Sequence, residues 1–146
     1  MSLEHWAKNG WLRTYRTTPA QIAELFAIVA RDLEDAGTER LSTDWQFGIA
    51  YNAALKLCTI LLYAKGYRPE KILAHYRTLQ ALPLILGVHR QGDADYLDAC
   101  RSKRNTAEYD SAGRISPEEA RELVEFSVEL RAASVSWLNA NDPELL

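Results

Sequence analysis

The sequence is short of several things, and each shortage excludes a class of protein. Two cysteines, Cys58 and Cys100, stand alone among 146 residues, with no C-x-x-C and no Cys/His cluster. That pattern supports neither a zinc site nor a disulfide framework, and free thiols suit a reducing cytoplasm. Long apolar runs are missing too. Leu57-Cys58-Thr59-Ile60-Leu61-Leu62 is far below the ~20 residues that span a bilayer. The N-terminal Met1-Ser2-Leu3-Glu4-His5-Trp6 lacks the basic and apolar regions of a signal peptide, so no such leader is expected. There are no solenoid-length repeats or low-complexity stretches. An excess of basic residues is absent as well: the net charge of -3 rules out a histone-like coat on nucleic acid. The composition, 47% hydrophobic and 25% charged, is that of one globular domain.

Strand-like alternation is nearly missing, and helical periodicity fills its place. Ile22, Leu25, Phe26, Val29 and Leu33 form one stripe between Pro19 and Ala36, with Thr18 as N-cap and Gly37 as stop. A second helix is predicted from about Thr43 to Lys65, stopped by Gly66. Its wide apolar arc, including Trp45, Phe47, Tyr51, Leu57 and Ile60, places it in the middle of a bundle. Asn52 and Lys56 interrupt that arc four residues apart, as either an exposed strip or an internal polar site. Tyr67-Arg68-Pro69 reads as a turn. Residues 70–86 read as a helix that Pro83 kinks or restarts. Asp93 is a candidate cap for a helix reaching about Tyr109, which Asp110-Ser111-Ala112-Gly113 would end. Ser116-Pro117-Glu118-Glu119 is a capping box for a last helix running to about Asn139. Residues 3–14 contribute a short leading helix. The expected architecture is an all-α antiparallel bundle of five to six helices in one domain. Its core spans about 15–138, with a leading segment 1–14 and a tail 140–146.

Charge is unevenly distributed. Residues 65–104 hold eight Lys/Arg against four acids, a local +4, while the rest holds nine against sixteen, or -7. The basic stretch culminates in Arg101-Ser102-Lys103-Arg104-Asn105-Thr106-Ala107-Glu108-Tyr109. On a helix Arg101, Asn105 and Tyr109 share a face, and Arg104, about 100° from Asn105, can swing its guanidinium toward it. This segment resembles the signature of the HEPN superfamily, small all-α domains with an Arg, often a following polar residue, and a His about five positions on. Here those positions hold Arg104, Asn105 and Tyr109. The surrounding order is also similar: Tyr51-Asn52-Ala53-Ala54-Leu55, Lys65-Gly66-Tyr67-Arg68, His75-Tyr76-Arg77, the motif, and a capped final helix.

The resemblance implies an RNA- or nucleotide-binding domain, or a metal-independent endoribonuclease. It also implies a homodimer whose motifs share a cleft, and pairing with a nucleotidyltransferase in a toxin–antitoxin system. Arg101, Lys103, Arg104 and Arg77 are the candidate phosphate contacts, since a guanidinium grips phosphate bidentately. Arg104, Asn105, Tyr109 and His75 are the candidate catalytic set. Tyr109, with an ordinary pKa of ~10, donates a proton but is a poor base. His75 is the substitute base on the preceding segment. No metal, cofactor or membrane is called for. Two other readings stay open. Arg101, Arg104 and Glu108 also fit a solvated salt-bridge ladder. The abundant Tyr and Trp also fit a non-enzymatic interaction module, with Trp6, Trp11, Trp45 and Trp137 in core or dimer packing.

Overall fold

The computed structural model describes residues 1–109 and 114–146, and of Ala107, Glu108 and Tyr109 the helical backbone only. It is an all-α bundle with one very small sheet. The helices are α1 (Leu3–Lys8), α2 (Pro19–Ala36), α3 (Thr43–Ala64), α4 (Ala74–Gln80), α5 (Leu82–Leu86), α6 (Gln91–Tyr109) and α7 (Pro117–Asn141).

Side-chain caps set the helix starts, two of them, Thr18 and Ser116, as the sequence predicts and a third, Ser42, found in the structure. The Thr18 side chain accepts from the Gln21 amide at 3.1 Å. Ser42 does the same for Trp45 at 3.2 Å. Ser116 and Glu119 form a complete capping box, each bond 3.1 Å. Gly66, at φ +89°, turns the chain out of α3 in a conformation that costs glycine little.

Helix α3 packs between α2 and α7 and also touches α4 and α6. Phe47, Ala50, Tyr51, Ala54, Leu57, Cys58, Ile60 and Leu61 are all buried in the main core. Its length and mean hydropathy match a membrane span, but most of that stretch is buried inside the bundle. Trp45, expected within the apolar arc, is instead 60% exposed, because it stands in the first turn of α3. Burial pushes the thiols of Cys58 and Cys100 up to about 12 and about 11, so both stay protonated and unreactive near neutrality.

The largest departure from expectation is a two-stranded antiparallel ribbon. Strand β1 (Leu12–Thr14) pairs with β2 (Tyr67–Pro69), so residues 67–69 are a strand rather than a turn. Beneath it Leu3, Trp6, Leu12, Leu62 and Ala81 form a second small core. The ribbon also delays the following helix, which starts at Ala74 instead of about residue 70. Asp93 is not a cap either; it sits inside the first turn of α6 and pairs with Arg90 at 2.9 Å.

Leu73, just before α4, adopts a left-handed conformation at φ 56°, ψ 32°, and its side chain is 55% exposed. That conformation costs a β-carbon about 1–2 kcal/mol, partly offset by the extra chain entropy a glycine loses on folding. Leu73→Gly is therefore expected to stabilise the protein by about 0.5–1 kcal/mol, read as a higher urea midpoint at unchanged m-value.

Candidate anion site between α3, α4 and α6

Helix α6 carries one stripe that changes character along its length. Ala94, Leu97, Arg101 and Arg104 follow 3- and 4-residue steps and so share a face. Ala94 and Leu97 are fully buried against the core. One and two turns later the same face presents Arg101 and Arg104, both half-buried. The stripe thus leaves the apolar core and delivers two guanidinium groups to its edge.

Tyr51, fully buried on α3, meets them there. The Arg104 guanidinium carbon lies 5.6 Å from the centre of the Tyr51 ring. Among the described residues the Tyr51 hydroxyl has no hydrogen-bond partner. Burial raises its pKa well above the ordinary phenol value, and the charges of Arg101 and Arg104 pull it back only part of the way. The phenol is therefore a neutral hydrogen-bond donor beside two cations. Arg101 is partly compensated by Asp98, one turn earlier, at 2.9 Å. The Glu108 side chain of the ladder that sequence spacing allows lies outside the described residues.

His75 reaches the same place from α4. It lines a shallow pocket of about 320 Å³ together with Lys71, Leu73, Ala74, Tyr76 and Arg101. Its pKa is lowered, first by partial desolvation and then by the positive charges of Arg104, Arg101 and Lys56. His75 is therefore a neutral imidazole at pH 7. Half-buried Lys56 belongs to this group through its charge, although it lies on α3.

The structure divides the residues singled out from sequence. Arg101, Arg104 and His75 come together, with Tyr51 and Lys56 added. Lys103 lies about 160° from Arg101 and about 100° from Arg104 around α6 and forms an ion pair with Glu119 of α7, so its charge is neutralised away from the site. Arg77 stacks on Trp11 at 3.9 Å, beside the ribbon. Asn105 is half-buried on α6 next to Arg104. The Tyr109 side chain and the expected helix end at Asp110-Ser111-Ala112-Gly113 lie outside the described residues. Among the described residues no group of three His, Cys, Asp or Glu is placed to hold a metal ion.

By sequence, Tyr51 belongs to the core arc of α3. One signal was available: a hydroxyl-bearing residue on the apolar arc of α3 needs a partner when buried. No family model matches this chain, and neither a curated protein nor a solved structure matches it at a significant level.

Proposed function

We propose that the protein is a HEPN-like domain that binds RNA or nucleotides at the edge of α6. The observation that supports this best is the approach of Lys56, His75, Arg101 and Arg104, from three helices, around the buried Tyr51. In an acidic body, a compact cationic pocket draws an anion towards it. In this reading Arg104 and Arg101 hold a phosphate, Tyr51 donates to one of its oxygens, and Asn105 stands by as an amide partner. A reducing cytoplasmic setting, a homodimer and a nucleotidyltransferase partner belong to the same proposal.

A second reading, a metal-independent endoribonuclease, is favoured by His75. A neutral imidazole next to the phosphate-holding arginines suits removal of the proton from a ribose 2′-hydroxyl. The oxygen then attacks the adjacent phosphorus to give a 2′,3′-cyclic phosphate, and the P–O5′ bond breaks as the 5′-oxygen takes a proton from water.

Both readings are tested with labelled single-stranded RNA, in EDTA, by anisotropy and by gel. Salt-sensitive binding that weakens in Arg104→Ala supports the first. Cleavage lost in both Arg104→Ala and His75→Gln supports the second. Binding that is indifferent to Arg104 removes both.

The pH dependence has a definite sign. A bound phosphate offsets the positive charges that depress the His75 pKa, so binding is accompanied by proton uptake. Affinity is expected to rise as pH falls from 8 towards 6, and His75→Gln should flatten that rise. Without ligand the sign reverses. His75 resists protonation in the folded state, so its contribution to stability is full above the unfolded imidazole pKa of ~6.5 and falls as pH drops below it.

A further inference from the structure

The ribbon carries an arrangement that its own stability does not explain. Arg13 and Arg68 are direct cross-strand partners. Opposed residues of an antiparallel pair project from the same face, and like charges there repel. With strands of only three residues, no length of ladder is available to absorb that repulsion.

Two more cations stand beside this pair. Arg13, Arg68, Lys71 and Arg77 line a groove of about 710 Å³ with Trp11 and Ile72, and Glu70 is the one acid in its wall. Among the described residues none of these four forms an ion pair, whereas Arg31, Arg90, Arg101 and Lys103 all do. Two of the groove arginines rest on aromatic rings instead. The Arg77 guanidinium lies 3.9 Å from the centre of the Trp11 ring, and that of Arg68 lies 5.1 Å from the centre of Tyr15. Stacking fixes the plane of a guanidinium while leaving its N–H edge open, and that edge matches the oxygens of a phosphate. The buried Nε of Arg68 has no hydrogen-bond partner among the described residues.

We propose that this groove is a second phosphate-binding site, and that it extends the strand held at Arg104. The inference rests on the RNA reading above for the nature of its ligand. Lys71 makes the connection, since it lines both this groove and the pocket that holds His75 and Arg101. A bound phosphodiester would neutralise the Arg13–Arg68 repulsion and continue along Lys71 to α6. The ligand is a single strand several nucleotides long, and Trp11 and Tyr76 flank its path.

The experiment compares single-stranded RNAs of about 4 and about 12 nucleotides, lengths that bracket common single-strand site sizes. They are titrated against the wild type, Arg104→Ala and the double variant Arg13→Ser/Lys71→Ser. Both residues of the double variant are exposed, so it is expected to fold, as checked by circular dichroism. The proposal expects the double variant to lose about tenfold in affinity for the longer RNA and to lower its salt slope by about 1.4, two phosphate contacts. Affinity for the longer RNA should exceed that for the shorter one in the wild type and approach it in the double variant. If the double variant binds the longer RNA as tightly as wild type while Arg104→Ala fails, the groove proposal falls and the Arg104 reading stands. If the double variant fails while Arg104→Ala binds normally, the groove stands and the α6 reading falls. Equal affinity for inorganic phosphate and for the longer RNA would overturn the strand. So would binding only to vesicles of anionic lipid, for which exposed Ile72 and Leu73 would then be the apolar contact.

Discussion

Arg104→Ala is expected to weaken RNA binding by about ten- to a hundredfold, the equivalent of a charged hydrogen bond worth about 1.5–3 kcal/mol. The effect should be larger than that of losing a surface lysine, for a geometric reason. Arg104 is half-buried, and its guanidinium faces the Tyr51 ring, so its position is largely set before a ligand arrives. An exposed lysine must lose side-chain freedom when it binds. The salt slope should fall by about 0.7, as for one phosphate contact on a single strand. Lys103→Ala is the matched control. It is one residue away and has the same formal charge, and its ammonium is held by Glu119 on the α7 side of the helix. Its effect on affinity should be small. Equal losses in the two variants would mean that general charge, rather than the α6 stripe, drives binding.

Replacing Tyr51 separates fold from site. Tyr51→Ala is expected to cost about 3–5 kcal/mol of stability, the range for removing a large buried aromatic. The ring is fully buried among the helix α3 residues that form the main core. Tyr51→Phe keeps the ring and removes only the hydroxyl. Because that hydroxyl has no hydrogen-bond partner among the described residues, its loss leaves no buried group newly unsatisfied, and stability should hold or rise slightly. RNA affinity in Tyr51→Phe should nevertheless fall by about three- to tenfold if the phenol donates to the ligand, since a neutral hydrogen bond is worth about 0.5–1.5 kcal/mol. Urea unfolding followed by circular dichroism and anisotropy on the same samples separate the two effects. A Tyr51→Phe protein that is stable and binds normally would remove the phenol from the site.

The parts of this molecule that were legible in the sequence are those written in neighbouring residues. Thr18-Pro19 and Ser116-Pro117-Glu118-Glu119 state their caps within four positions, and the helices begin there. The stripe from Ile22 to Leu33 and the broad apolar arc of α3 likewise need only a periodic count. The ribbon was not legible. Three residues per strand are too few to show alternation, and Leu12 finds its partner at Pro69 only through the tertiary fold. The site was half legible. Arg101, Arg104 and His75 were visible as chemistry, but their separation from Lys103 depends on which side of α6 meets α3. Tyr51 was hidden for the opposite reason: its neighbours in sequence identify it as core, and only the approach of α6 gives its hydroxyl a charged environment.

The ribbon also has a kinetic meaning. It joins the first residues of the chain to a segment that follows the whole of α3, so closing it spans a long loop and must await the central helix. The small core beneath it is separate from the main one, sharing α3 through Leu62. The ribbon and α1 are therefore expected to open as a unit while the bundle stays folded, read as early hydrogen exchange of their amides. An anion seated across Arg13 and Arg68 would bind the closed ribbon and not the open one. Occupancy would then be written in the protection of the Leu12–Thr14 amides, which makes the N-terminal segment a clasp that the ligand itself fastens.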